Sequence, residues 1–262
     1  MIEPQIRFDD GADYERMMGE WSRLAGEVFL DWLAPPSGLR WIDIGCGSGA
    51  LTELLVERCN PAEVQGLDPS EGQLAFARDR LATRNTEFRL GNAMALPFPA
   101  HRFDAAVMAL VLVFVPDPAK GIEEMVRVVN PGGTVATYVW DMLNGGVPLD
   151  PILVEMRAMG LTPPRPPQMD VSRMEALRDL WTTAGLEAVE TREITVQRTF
   201  ADFDDFWMIK VKAPTLGPTV AGMASGDVET LRSRVRARLP ADTEGQITYT
   251  ARAHAIKGHL PK

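Results

Sequence analysis

Residues 41–55 read WIDIGCGSGALTELL: a short apolar strand pattern, three glycines within five residues, then an amphipathic helix pattern. Glycine weakens strands and helices alike, because it loses more backbone freedom on folding than any other residue. Gly45, Gly47 and Gly49 therefore mark a turn that needs positive φ angles, or a backbone bare enough for a ligand to lie against it.

Outward from this stretch, strand and helix patterns alternate. Strand candidates at 39–44, 63–67, 86–90, 103–109 and 133–139 enclose helix candidates at about 49–58, 70–82 and 118–129. That order predicts an α/β fold built on a doubly wound parallel sheet. Strands apolar on both faces call for helices on both sides. The NPGG at 130–133 is expected to stop the third helix sharply before the next strand. Upstream, Met17, Trp21, Leu24, Val28 and Leu33 fall near helical spacing across 13–33, and Pro35-Pro36 end the run. After Asp141 the chain turns rich in glycine and proline over 144–170. A helix at about 172–184 and a strand at about 187–197 follow, then a helical stretch over 202–240 broken by APTLGPT, and a final alternating strand in GQITYTARAHAIKG. The chain reads as a single domain over 1–262.

Composition narrows the function classes. With 45% hydrophobic and 24% charged residues the chain can bury an ordinary globular core. The longest apolar run, AAVMALVLVFV at 105–115, is too short for a membrane span and ends at Pro116. The N-terminal MIEPQIRFDDGADYERM carries acids where a signal peptide is basic and then apolar, so a cytoplasmic location is expected. The positions of Cys46 and Cys59 weigh against a bridge, and no Cys/His spacing matches a metal site. A formal net charge of −9 weighs against a nucleic-acid partner.

In a parallel sheet, ligands bind beyond the carboxyl ends of the strands, where strand order reverses. The loop 44–50 leaves the first strand there, and the following helix start adds partial positive charge. Asp68 stands at the end of the second strand pattern. Its carboxylate suits two ribose hydroxyls, or it caps the helix starting near Ser70. GCGSGA also satisfies the dinucleotide pattern G-x-G-x-x-G/A with Ala50 in last place, so a nicotinamide cofactor has to be weighed. Against it, Asp43 sits two residues before the first glycine, where a negative charge opposes a pyrophosphate but suits an ammonium group, and a third glycine arrives at 49.

From these motifs onward the sequence resembles the class I S-adenosylmethionine-dependent methyltransferases, of the small-molecule type that includes ubiquinone and menaquinone methylases. WIDIGCGSGALT resembles the family's first motif and GLDPSEGQLAFAR its second. LGNAMALPFPAHRFDAAVMALVLVFVPD resembles the third and fourth, and VRVVNPGGTVATYVW the fifth, so that the match runs over about 39–141. The resemblance implies a Rossmann-like, seven-stranded sheet, mostly parallel with an antiparallel closing strand. It implies an N-terminal helical cover at 1–36, a cofactor core at 37–141, and substrate-side helical insertions at 142–170 and 200–244.

It further implies S-adenosylmethionine as methyl donor, S-adenosylhomocysteine as product, and a small-molecule acceptor. Asp43, Gly45 and Gly47 would line the methionine part and Asp68 would hold the ribose, with Cys46 and Gly49 of the same loop also among the cofactor-binding residues. Pro69, Ser70 and Leu74 would pack near the adenine. Asn92 stands where the family usually has an acid, beside Ala93, and its amide still offers a hydrogen bond to the adenine edge. Leu110 would lie under the sulfonium and its methyl group. Tyr14 and Trp21 either close over the cofactor or pack the core.

Methyl transfer asks mainly for alignment of donor and acceptor. Where an acceptor proton must be removed, Asp141, Tyr138 and His254 are the candidate bases, with Asp141 first, although a loop acid there also reads as a turn cap. Phe203, Phe206, Trp207 and Met208 suggest an apolar acceptor wall or core packing. Arg232, Arg234, Arg236 and Arg238 form a basic cluster that is either a solvated helix face or an anion site. A nicotinamide-dependent oxidoreductase and a catalytically silent cofactor-binding scaffold stay as alternatives.

Overall fold

The computed structural model describes residues 15–81, 85–211 and 216–262. A π-helical turn at Glu15–Gly19 runs into α1 (Glu20–Leu33). There follow β1 (Arg40–Ile44), α2 (Ala50–Cys59), β2 (Glu63–Asp68), α3 (Glu71–Arg80), β3 (Thr86–Leu90), β4 (Phe103–Ala109), α4 (Pro118–Val128) and β5 (Val129–Trp140). The second half contributes α5 (Asp150–Ala158), α6 (Met174–Thr183), β6 (Glu187–Phe200), α7 (Phe203–Val211), α8 (Gly217–Ala221), α9 (Ser225–Arg238) and β7 (Ile247–His259).

The seven strands form one sheet in the order β3-β2-β1-β4-β5-β7-β6. The pairings among β1 to β5 are parallel, while β7 pairs antiparallel with both β5 and β6. The expected closing strand is therefore β7, threaded between β5 and β6. The chain starts in mid-sheet at β1, winds outward to β3, and returns to β4 on the other side of β1. Strand order reverses at the β1–β4 boundary, which places a crevice above the carboxyl ends of these two strands.

The period-two alternation of a strand sends neighbours to opposite faces. Trp41 joins a cluster with Trp21, Phe29 and Leu54 from α1 and α2, while Ile42 and Ile44 join Ile122, Met125 and Trp181 from α4 and α6. Both faces of β1 are thus sealed, as a parallel sheet requires. The α1 face is turned slightly from the expected stripe. Ala25 and Phe29 carry its centre, and Leu24 and Val28 lie half-buried at its edge.

One expectation is corrected here, and one open alternative is resolved. The NPGG segment does not separate helix from strand. β5 begins at Val129, directly after α4, and residues 130–133 form a bulge between the Phe103–Val129 and Ala105–Thr134 pairings. The Gly132 and Gly133 backbone bonds to Leu260 hold that bulge against the chain end. The aromatic stretch on α7 is core and not an acceptor wall. Phe203, Phe206 and Trp207 are buried and stack among themselves and with Phe200, and of that group only Met208 is exposed.

The arginines of α9 are consumed within the fold. Arg232 and Arg236 reach Asp204 on α7 at 2.8 and 2.9 Å. Arg238 reaches Glu155 on α5 at 2.6 Å. The insertion between β6 and β7 thereby braces α5 from behind.

Candidate functional site

β1 delivers the chain into the turn at Gly45–Gly49, and each glycine has its own reason. At Gly45 (φ +72°) a Cβ would lie 2.5 Å from Val111 Cγ2, so the loop passes directly under the residue that follows β4 by two. At Gly49 (φ +80°) a Cβ would lie 3.2 Å from Ala77 Cβ, which lets α2 start close against α3. Gly47 faces the crevice.

Asp68 ends β2 and is fixed from two sides. Its Oδ2 accepts the Gly47 N–H at 3.0 Å, and its Oδ1 accepts the Ser70 N–H at 2.8 Å. Ser70, not Asp68, caps α3, by accepting the Gln73 N–H. Each carboxylate oxygen retains a lone pair for a further donor. Burial raises the Asp68 carboxyl above its usual range, and the two backbone bonds partly oppose that.

Asp43 is fully buried. Its Oδ2 accepts the Thr52 hydroxyl at 2.7 Å, and its Oδ1 has no partner among the described residues. Burial pushes this carboxyl up to about 7; the Thr52 bond opposes the shift and the Asp68 charge adds to it. A buried carboxylate oxygen left unpaired costs about 1–3 kcal/mol or more, and no group among the described residues offers it a donor.

These groups floor a cavity of about 760 Å³, within the size range of small-molecule sites. Its polar side is made by Asp43, residues 45–48, Asp68, Pro69, Ser70 and Gln73. Leu110, Val111, Phe114, Tyr138 and Trp140 form the middle. Met142, Leu143, Val147, Leu149, Leu153, Pro163, Pro164, Pro166 and Met169 form an apolar far side, with Arg157 and Arg165 set into it. Leu110 takes φ +62°, a conformation costing a non-glycine residue about 1–3 kcal/mol, and its N–H is pinned to the Tyr138 carbonyl at 2.8 Å.

Met17, Met18 and Ser22 close the cavity from the N-terminal side. That cover is tied down by residues remote in sequence. Glu15 Oε2 accepts the Ser48 hydroxyl at 3.0 Å and meets Arg80 Nη1 at 3.1 Å. Lys210 Nζ donates to the Met17 carbonyl at 3.2 Å. Lys210 is fully buried, and burial, with the Arg198 charge, pushes its ammonium down to about 7 against the pull of Glu20.

Of the residues singled out from sequence, Asp43, Gly45, Cys46, Gly47, Asp68, Pro69, Ser70 and Leu110 line the cavity. Gly49 packs on α3 instead, and Leu74 is wholly buried in α3. Asn92 and Ala93 stand outside the lining. The Asn92 Oδ1 accepts the Met94 N–H at 2.9 Å, which spends the amide oxygen on a local turn. Trp21 is core, its ring 5.0 Å from that of Tyr249. Tyr14 lies outside the described residues.

Asp141, the first of the candidate bases, does not line the cavity. It is buried outside the lining, where its Oδ2 takes Arg252 Nη2 at 2.6 Å and its Oδ1 takes the Asn144 N–H at 3.1 Å. Burial would raise this carboxyl, but the Arg252 and Asn144 hydrogen bonds outweigh it and hold it below its usual value. It caps a turn. His254 is also outside the lining, with its Nδ1 2.7 Å from the Ser172 carbonyl oxygen. Tyr138 is the one of the three candidate bases that lines the cavity.

Sequence reasoning missed Ser48, Gln73, Met17, Met18 and Ser22. Gln73 was accessible in principle, three residues beyond the Ser70 cap and so on the same helix face. The residues of the cover carry no motif, and only tertiary packing brings them to the cavity.

Comparison with known proteins bears on the fold that carries this cavity. Residues 42–137 match the family model of a methyltransferase domain. The demethylmenaquinone methyltransferase of Desulfitobacterium hafniense is 40% identical over 105 residues, covering 38% of this chain and 42% of that protein. The chloroplastic 2-methyl-6-phytyl-1,4-hydroquinone methyltransferase 2 of Oryza sativa is 41% identical over 95 residues, 36% of this chain and 27% of that one. The matched region thus spans less than half the length of either relative. Phosphoethanolamine N-methyltransferase 2 of Haemonchus contortus, solved with S-adenosyl-L-methionine, superposes with a TM-score of 0.60 at 17% identity over 96% of this chain and 57% of that one. The resemblance seen in the motifs therefore holds across the core, and the fold is that of the S-adenosylmethionine-dependent methyltransferases.

Proposed function

We propose that this chain is a methyltransferase that holds S-adenosylmethionine on the polar side of the cavity and a small-molecule acceptor on the apolar side. One observation carries the reading: a fully buried carboxylate, Asp43, with an oxygen that no group of the described chain satisfies. An ammonium group supplies the missing hydrogen bond and the missing charge together, whereas a pyrophosphate would place negative charge against it.

The residues fit the donor in kind. Asp43 takes the amino-acid ammonium, and the bare backbone at Gly45 and Gly47 admits the amino-acid part. The remaining lone pairs of Asp68 accept ribose hydroxyls, and Pro69 and Ser70 flank the base. The donor supplies a methyl group already activated by a sulfonium centre. The chain's part is to orient the acceptor and exclude water, which in favourable cases lowers a barrier by about 7–11 kcal/mol. Leu110, pinned beneath Tyr138, and the methionines of the cover make the dry surface for that alignment.

Residues 142–170 form the acceptor side, since Met142, Leu149, Leu153 and Met169 line the cavity. Residues 200–244 act from behind by bracing α5. The apolar walls favour an acceptor with a largely hydrophobic body. No helix among the described residues is long and apolar enough to cross a membrane.

Isothermal titration with S-adenosylhomocysteine, S-adenosylmethionine, NAD and NADP tests the reading. Binding of the first two alone is expected. Uptake of a nicotinamide nucleotide without the sulfonium donor would transfer the chain to the oxidoreductases. Binding without release of S-adenosylhomocysteine across an acceptor panel would favour a silent scaffold.

A further inference from the structure

Two arginines, Arg157 and Arg165, line the otherwise apolar part of the cavity; both are exposed to solvent, and neither has a close carboxylate partner among the described residues. Arg157 ends a stripe that starts at the cap of α5: Leu149, Leu153 and Arg157 recur every four residues and all three line the cavity. Side chains so spaced share one helix face. Among the described residues the one carboxylate within ion-pair distance of Arg157 is Asp150, at 3.9 Å, so most of its donors are uncommitted. Arg165 projects from the proline-rich strap that follows α5, and no carboxylate pairs with it among the described residues. The other arginines of this region are spent, Arg238 on Glu155 and Arg173 on Asp170.

The strap itself is held in place. Pro163, Pro164 and Pro166 restrict its backbone, and beyond them the Gln168 N–H donates to the Val113 carbonyl at 3.0 Å while Gln168 Nε2 donates to the Pro116 carbonyl at 2.9 Å. Arg165 is thus presented from a segment anchored to the turn that follows β4. A guanidinium offers five donors in a planar fork that matches carboxylate and phosphate oxygens.

We propose that Arg157 and Arg165 form an anion subsite, and that the acceptor is an amphipathic acid: an apolar body beside the cofactor, with a carboxylate or phosphate at its far end. This rests on the methyltransferase reading and names the substrate class for it. A neutral quinol needs neither arginine.

The test uses the full chain saturated with S-adenosylhomocysteine and measures binding by calorimetry. The probes are decanoate, decyl phosphate and methyl decanoate, which share an apolar body and differ in charge. Either anion is expected to bind at least tenfold more tightly than the ester, and the tighter of the two identifies the headgroup. Arg165→Ala and the Arg157→Ala/Arg165→Ala pair should remove that preference, with S-adenosylhomocysteine affinity unchanged and Arg165→Lys restoring part of it. Equal binding of acid and ester, no binding of either anion, or a preference that survives the double variant would overturn the subsite. Failure of S-adenosylhomocysteine to bind in the first place would instead strike the methyltransferase reading. The two failures are therefore distinguishable.

Discussion

Replacing Asp43 with asparagine should make the free protein more stable and the complex weaker. The amide preserves the shape: its oxygen can accept the Thr52 hydroxyl, and its NH₂ takes the place of the unpaired Oδ1. What disappears is a charge buried at a net cost. The folded carboxyl titrates at about 7 against an ordinary 3.8, so between those values the folded state binds the proton more firmly than the unfolded one. Stability contributed by the protonated acid is fully present below pH 3.8 and is lost as pH rises to about 7. At about 1.4 kcal/mol for each pH unit between the two values, the loss approaches about 4 kcal/mol. Asp43→Asn is exempt from it. Its advantage in urea unfolding should be small near pH 4 and grow towards that ceiling by pH 8. S-Adenosylhomocysteine should bind the variant about 10- to 150-fold more weakly at pH 8, the equivalent of about 1.5–3 kcal/mol for a charged hydrogen bond. In the parent protein, affinity should rise with pH as Asp43 ionises, and in the variant this component should vanish. A variant less stable than the parent at pH 8, or one that keeps full affinity, would refute both the burial argument and the ammonium assignment.

Other outcomes follow from the same geometry. Gly45→Ala, at φ +72° and against Val111, should cost about 1–3 kcal/mol in chemical unfolding, and Val111→Ala in the same chain should recover the steric part. Lys210→Met should be at least as stable as the parent at pH 7. The parent should gain on it between about pH 7 and 10.5, because the buried ammonium of Lys210 releases its proton more readily folded than unfolded. Removal of residues 1–19 takes away Met17, Met18 and the Glu15–Ser48 bond. It should leave a cooperative thermal transition and weaken S-adenosylhomocysteine binding several-fold, and unchanged affinity would dismiss the cover. Asp141→Asn should slow no chemistry directly, so any fall in turnover should track a fall in melting temperature.

The core of the fold was legible because its information is local. Strand period, helix period and punctuating glycines and prolines are properties of neighbouring residues, and β1 to β4 emerged within a residue of the expected spans, while β5 begins four residues early at Val129. The Asp43, Gly45, Gly47 and Asp68 group was legible for the same reason, since a turn that must bend sharply and face a ligand leaves few residue types available. The bulge at 130–133 escaped because glycine and proline signal irregular backbone without saying whether a helix or a strand absorbs it. Asp141 looked like a base from its place after β5, yet its partner Arg252 lies on β7, more than a hundred residues on. Tertiary structure alone decided that the α7 aromatics are core, that the α9 arginines brace α5, and that Met17 and Met18 reach the loop. These are contacts between segments far apart in the chain, set by which faces the sheet leaves to be covered. No local pattern encodes them.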